Sequence, residues 1–274
     1  MSVLRYKILI PADSSADTSV AIEKAKTIAG TIGAEIHILN VINTPFASAV
    51  AGAETGFPLL PLIHENQQGN NTRQVENYKW KNIRSIFSTV VHESKRKATL
   101  EYIFQNDIDL VIIGISKINY FKRIGTQLFI RHISEHAKIP VLSVNRSQGL
   151  EIIKKIVIPL SSNIPLKALK MAATMGKAFG STIYVVGIAP VSGIINNTMD
   201  TTIEFIHSIS SVKVQGYFLE GKNLIKGTLK FSKKIKADLI MIDPFKEFSL
   251  PGFFNKITKS ILPDDKENYI VVNN

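Results

Sequence analysis

The sequence contains no cysteine. That removes disulfides, thiolate nucleophiles and cysteine metal sites, and fits a reducing compartment. Long apolar runs are missing as well. Nothing approaches the roughly 20 uninterrupted apolar residues of a membrane span, and the nearest run, Pro58-Leu-Leu-Pro-Leu-Ile63, is short and broken by prolines. The opening Met1-Ser-Val-Leu-Arg-Tyr-Lys7 passes straight into a strand pattern without the apolar region and cleavage site of a secretory leader. No membrane association and a cytoplasmic location are therefore expected.

Acidic residues are in deficit, 22 against 33 basic ones, for a net charge of +11. The excess is spread evenly: residues 1–147 hold 17 Lys and Arg against 12 Asp and Glu, and residues 148–274 hold 16 against 10. A nucleic-acid arm would concentrate charge in a tail or on one face. Here the clusters are short (Lys95-Arg96-Lys97, Lys122-Arg123, Lys154-Lys155, Lys233-Lys234) and read as solvated surface, so a nucleic-acid partner is not expected. Also absent are a G-x-x-x-x-G-K-[ST] phosphate loop and a G-x-S-x-G nucleophile elbow. No Ser/His/Asp set has a defensible spacing, which argues against an enzyme of known type.

What is present is a repeat. The length suits two domains of about 130–150 residues, and 45% apolar with 20% charged residues is ordinary for globular cores. The run Tyr6-Lys-Ile-Leu-Ile-Pro-Ala-Asp-Ser14 reads as a buried strand entering a turn, and Lys155-Ile-Val-Ile-Pro-Leu-Ser-Ser162 reads the same way 148 residues on. Each is followed by apolar residues at three- and four-residue steps, as a helix lying on a sheet requires. Gly33-Ala-Glu-Ile-His-Ile-Leu-Asn-Val41 then matches Gly180-Ser-Thr-Ile-Tyr-Val-Val-Gly-Ile188, offset by 147, with glycines suited to helix C-caps.

Third-strand candidates at residues 85–92 and 212–219 precede a helix and the apolar runs Asp109-Leu-Val-Ile-Ile-Gly114 and Asp238-Leu-Ile-Met-Ile-Asp243, now offset by 129. Pro140-Val-Leu-Ser-Val144 and Tyr269-Ile-Val-Val272 close the two copies. Strands alternating with helices specify βαβ crossovers and a parallel sheet, and continuous Val/Ile/Leu runs mean strands covered on both faces. The fall in offset places about 19 extra residues in the first copy. Most fall within 43–81, where a Pro/Gly-rich apolar loop precedes a polar stretch that reads as helical and ends near Trp80. A connection this long points to function or an interaction surface. The boundary falls at 145–150, giving domains 1–147 and 148–274.

In order and spacing these pieces resemble the universal stress protein family in its tandem two-domain form. The resemblance rests on Lys7-Ile-Leu-Ile-Pro-x-Asp-x-Ser15, the Gly33 to Val41 strand, Asp109-Leu-Val-Ile-Ile-Gly114 and Ile139-Pro-Val-Leu, and covers nearly the whole chain. It implies two doubly wound α/β domains of the adenine nucleotide alpha hydrolase-like, Rossmann-like type. Each would have a five-stranded parallel sheet in the order 3-2-1-4-5, and the two would pack about a pseudo-twofold axis as the family's dimer does, through strand five. A ligand crevice opens where such an order reverses.

In the family's nucleotide-binding members an acidic residue after strand one and the backbone near the end of strand two meet adenine, and a G-x2-G-x9-G-[ST] pattern after strand four cradles ribose and phosphates. By that resemblance Pro11, Asp13 and Val41 match the adenine end and Gly114 matches the first glycine. The second position is Lys117, and the third is Gln127 followed by Leu128. Gly125-Thr126, two residues earlier, could fill the G-[ST] role in a shortened loop, and Lys117, Lys122 and Arg123 could supply charge for phosphate. Each residue also has a plainer use. Asp13, Ser14 and Ser15 can cap a helix, Gly114 can permit a tight strand exit, and Gly125 a turn.

The second copy departs further. Leu160 stands where Asp13 does, and Asp243-Pro244 stand at the first glycine, placing a carboxylate and a missing N–H where phosphates would sit. Leu250-Pro-Gly-Phe-Phe254 has no G-[ST] pair. No nucleotide is expected there.

His132-Ile-Ser-Glu-His136 spells H-x-x-E-H, an inverted zinc-protease motif. Its place on the helix before the last strand of the first copy favours two ordinary histidines over a metal site. Asp264-Asp265 reads as a turn.

The leading expectation is a non-enzymatic stress-response or regulatory protein without cofactor, acting through an unidentified protein partner. A further homodimer is expected through the apolar loop at 57–63. The alternative is an adenine-nucleotide switch or slow ATPase that binds ATP or AMP in the first copy alone.

Overall fold

In the computed structural model, residues 6–13, 15–43, 73–80, 83–115, 120–144, 153–160, 166–188, 194–221, 223–242 and 268–271 are described. The first half runs β1 (Lys7–Ala12), α1 (Ala16–Ile32), β2 (Glu35–Asn43), β3 (Arg73–Trp80), β4 (Ile83–His92), α2 (Lys95–Asn106), β5 (Leu110–Gly114), α3 (Tyr120–Ala137) and β6 (Val141–Val144). The second runs β7 (Lys155–Pro159), α4 (Leu166–Phe179), β8 (Thr182–Ile188), α5 (Ile194–Ile209), β9 (Lys213–Leu219), α6 (Leu224–Ile235), β10 (Leu239–Ile242) and β11 (Asn268–Val271).

The strands form one sheet in the order β3-β4-β2-β1-β5-β6-β11-β10-β7-β8-β9. Setting β3 aside, each half has the expected 3-2-1-4-5 order with parallel neighbours. The two fifth strands meet antiparallel, Val141 opposite Val271 and Ser143 opposite Tyr269. An edge that would otherwise be an open template is thereby closed inside the chain.

Side-chain alternation assigns the faces. Ile8, Ile10, Ile36 and Leu142 share a core with Ile156, Met171, Met175 and Leu239 under α1 and α4. On the opposite face Leu9, Leu39, Val111 and Ile133 pack beneath α2 and α3, while Val157, Val186 and Ile240 pack beneath α6. Because α1 and α4 lie on one face, joined by Tyr6 Oη donating to Met171 Sδ at 3.3 Å, the pseudo-twofold axis is normal to the sheet. The carboxyl ends of the two sets of parallel strands therefore point in opposite directions.

The glycine caps are as expected. Gly33 and Gly180 adopt φ of 73° and 63° after α1 and α4.

One expectation needs correction. The polar stretch ending at Trp80 is not helical but is β3, antiparallel to β4 from Arg73 opposite Val90 to Trp80 opposite Ile83. Its composition suits a helix. The ladder to β4 and the seat of Trp80 override that preference: the indole meets Phe87 edge-on at 5.6 Å and lies 3.9 Å beneath the Lys26 ammonium of α1. The boundary at 145–150 and the loop at 57–63 lie outside the described residues.

Candidate functional site at the strand reversal of the first half

Strand order reverses between β1 and β5, so the crevice of the first half lies past Ala12 and Gly114. Asp13 follows β1 directly. Its Oδ1 accepts hydrogen bonds from Ser15 N at 3.0 Å, from Ser15 Oγ, and from Thr18 Oγ1 at 2.8 Å. Thr18 Oγ1 in turn accepts the Asp13 N–H at 3.0 Å. Ser15 is the N-cap of α1 but makes no side-chain cap bond of its own; Asp13 instead ties the N-cap residue to the Thr18 hydroxyl in the first turn. Partial burial pushes the Asp13 pKa upward. The Ser15 and Thr18 hydrogen bonds and the Lys95 charge outweigh it, and the carboxyl titrates below its ordinary value.

Gly114 is required by packing. A Cβ there would sit 1.9 Å from the Asp17 carbonyl oxygen, because the first turn of α1 rests on the end of β5. The plain reading of both residues thus has a physical basis: they seat the start of α1. They also stand side by side at the reversal, where a ligand of this fold would approach. Pro11 lies opposite Leu39 in the β1–β2 ladder, and Val41 is half-buried beside Leu9 and Leu39.

Lys95, which sequence reasoning assigned to solvated surface, is the residue that was missed. It opens α2 and reaches across the strand ends to donate from Nζ to Ala12 O at 3.1 Å. Its ammonium acts on Asp13 and lies 5.9 Å from the Phe129 ring centroid of α3. A signal was present: Lys95-Arg96-Lys97 fill the first turn of a helix that has no acidic residue there, the reverse of what the helix dipole favours. Lys95 thus places a donor at the strand reversal, beside the Asp13 carboxylate.

Gly125 and Thr126 fall in the second turn of α3, not in a loop or turn. A Cβ at Gly125 would meet nothing within 4 Å, so local packing does not demand glycine there. Lys117 lies outside the described residues, as do Ser14, Asp243, Pro244, Asp264, Asp265 and 250–254. In the second half Leu160 is buried, and its N–H donates to Val186 O at 2.7 Å. The expected match of Leu160 with Asp13 needs correction: the ladders and the Asp109 and Asp238 contacts superpose Lys7 on Lys155 and Pro11 on Pro159, so Leu160 stands where Ala12 does, and Ser161, the counterpart of Asp13, lies outside the described residues.

The H-x-x-E-H residues share α3. The His132 and His136 rings are 4.2 Å apart, but His136 Nδ1 donates to the His132 carbonyl at 2.8 Å and Glu135 is held by Arg131 at 2.8 Å. No group of three or more metal-ligating side chains forms among the described residues.

The universal stress protein family model matches residues 5–145, slightly more than half the chain. Solved structures extend the likeness over both halves. A universal stress protein from Archaeoglobus fulgidus DSM 4304 aligns over 97% of this chain and 96% of its own, at 14% identity and a TM-score of 0.67. A putative universal stress protein from Pseudomonas aeruginosa UCBPP-PA14 aligns over 98% and 94%, at 13% identity and 0.59. The cytoplasmic domain of a prokaryotic cation chloride cotransporter aligns over 98% and 96%, at 12% identity and 0.54. At such identities these structures share the fold and no more. No curated protein matches the sequence significantly.

Proposed function

This chain belongs to the universal stress protein family, and we propose that it is a non-enzymatic regulatory member acting through protein contacts. The observation that carries the reading is the internal occupation of its better-preserved crevice. Lys95 Nζ holds Ala12 O at 3.1 Å, and Asp13 Oδ1 is committed to Ser15 and Thr18. An adenine that used the Ala12 carbonyl would have to displace an ammonium ion from it. The second half offers Ser161 in place of the acid. No described helix is long and apolar enough to cross a membrane, and the proposal places the protein in the cytoplasm.

The test is calorimetric titration of the full chain with ATP and AMP. The expected result is no saturable heat at millimolar nucleotide. One nucleotide bound per chain, lost in Asp13→Ala, would overturn the proposal.

That outcome would establish a second reading, an ATP- or AMP-dependent switch confined to the first half. It has support of its own. Asp13 Oδ2 takes no hydrogen bond among the described residues, and Gly114 and Asp13 flank the reversal point. Phosphate would then fall to Lys117, Gly125 and Thr126, the positions the family pattern indicates.

A further inference from the structure

The chain treats two equivalent strand edges differently. In the first half the third parallel strand, β4, is covered by β3 along its length. Its counterpart in the second half, β9, pairs with β8 and is the last strand of the sheet among the described residues. Natural edges are blunted by proline, by charge along the strand or by a bulge. β9 reads Lys-Val-Gln-Gly-Tyr-Phe-Leu, with no proline and one charge, at its start. Tyr217 and Phe218 are 41% and 45% exposed.

The two aromatic side chains lie on opposite faces of the sheet. Tyr217 stands 5.1 Å from the Phe231 ring of α6 and 5.9 Å from Tyr184. Phe218 is on the face of α5, where Gly216 lies against Met199 and Ile203. A strand with an open backbone edge and apolar surface on both faces is a template for strand addition.

The surrounding charge indicates what is added. Helix α6 borders this edge through Phe231, against Tyr217, and through Gly227, against Leu219. Lys230 and Lys234 stand three residues beyond Gly227 and Phe231, hence on the same flank of the helix. Like charges four residues apart on a helix repel, and among the described residues neither lysine forms an ion pair; Glu220 is the sole acidic residue between 213 and 236. A second copy pairing β9 with β9 would bring two sets of these lysines to one seam.

We propose that β9 is a docking edge for an extended acidic segment of a partner protein. The segment adds antiparallel to β9, as β3 does to β4, with carboxylates toward Lys230 and Lys234 and alternate apolar side chains against Phe218. The inference rests on the protein-contact reading and names the chemistry of the partner.

The test uses the full chain and a fluorescein-labelled peptide, Glu-Val-Glu-Phe-Glu-Val-Glu, followed by anisotropy at low ionic strength. Saturable binding is expected, with hydrogen exchange slowed at the amides of 213–219. The double variant Lys230→Glu/Lys234→Glu should lose at least tenfold in affinity and bind the lysine counterpart, Lys-Val-Lys-Phe-Lys-Val-Lys, instead. Phe218→Glu, an exposed change that leaves the core intact, should weaken both pairings.

Equal affinity in wild type and the charge-reversed variant would overturn the proposal, as would binding without protection of β9. No peptide binding together with a dimer in sedimentation that Phe218→Glu abolishes would overturn it in favour of a second copy. If the peptide fails while the nucleotide titration stays silent, only β9 as the docking site falls. If nucleotide saturates the first half, the protein-contact reading falls by itself.

Discussion

In the first half Asp109 Oδ2 accepts the Lys7 backbone N–H at 2.8 Å, and Lys7 Nζ donates to Asn106 O at 2.8 Å. In the second half Asp238 Oδ2 accepts the Lys155 N–H at 2.9 Å, and Lys155 Nζ donates to Ile235 O at 2.6 Å. The clasp at the amino ends of the central strands is thus built twice from the same parts. At the carboxyl ends the halves part. Asp13, Thr18 and Lys95 form a polar knot in one, and in the other the sequence has Ser161 in place of the acid. Within the sheet the position after the shared Glu35/Thr182 step differs too. His37 bonds Tyr102 Oη at 2.9 Å, whereas its counterpart Tyr184 stacks among Tyr217 and Phe231. The duplicated end holds the central strands together, and the divergent ends are where each half acquired its own chemistry.

The largest test of that comparison is Gly114→Val. Its side chain would collide with the Asp17 carbonyl, and a loss of about 3 kcal/mol or more is expected in urea unfolding, the scale of core overpacking. A wild-type midpoint would show that α1 does not rest on β5.

Trp80→Ala should follow. Removing a partly buried indole together with its Lys26 and Phe87 contacts costs about 2–3 kcal/mol. Amide exchange should accelerate in β4 while β9, which has no covering strand among the described residues, keeps its wild-type rate.

Asp109→Ala and Asp238→Ala probe the duplicated clasp. Asp109 accepts the N–H of Lys7, and Asp238 accepts those of Lys154 and Lys155, so losses of about 2 kcal/mol are expected by thermal melting, the larger at Asp238. A wild-type midpoint in either variant would mean that the clasp is structural in one half only. Lys95→Ala should raise ATP affinity by about tenfold, the worth of one charge-assisted hydrogen bond. Calorimetry reads this directly, and unchanged silence would show that the ammonium is not what blocks the crevice.

The smallest effects are in pH dependence. Burial holds His37 below its ordinary value against the raising pull of Glu35. The neutral form is therefore the folded one. Its contribution is present above the unfolded histidine pKa and is lost as pH falls below it. Asp13 is likewise lowered, so its contribution is present above the unfolded carboxyl value and lost as pH falls through the folded one. His37→Gln should flatten stability as pH falls below about 6.5, and Asp13→Asn below about pH 4.

Much of the fold was legible in the residues. Ile8-Leu-Ile10 and Ile156-Val-Ile158 are buried on both faces, as continuous runs require, and Gly33 and Gly180 take the left-handed caps their positions implied. Asp107 and Lys236, the left-handed caps of α2 and α6, carried no such sign, because neither is glycine. Of the candidate site, Asp13 and Gly114 were found, since they adjoin strand ends that periodicity locates. Lys95 was not, because its importance comes from a reach of 83 positions along the chain to Ala12 O. Gly125 and Thr126 were found as residues but given the wrong local setting, a loop in place of the second turn of a helix.

By itself the sequence determined the repeat, the alternation of strand and helix, and hence two parallel sheets of one order, because periodicity and turn chemistry are local. Only the tertiary structure decided that the sheets join through antiparallel fifth strands, that β3 covers one outer edge while β9 is the last described strand at the other, and that Lys95 reaches the Ala12 carbonyl. Each of these depends on backbone edges and side chains brought together from distant parts of the chain, where hydrogen-bond geometry and packing outweigh any local preference.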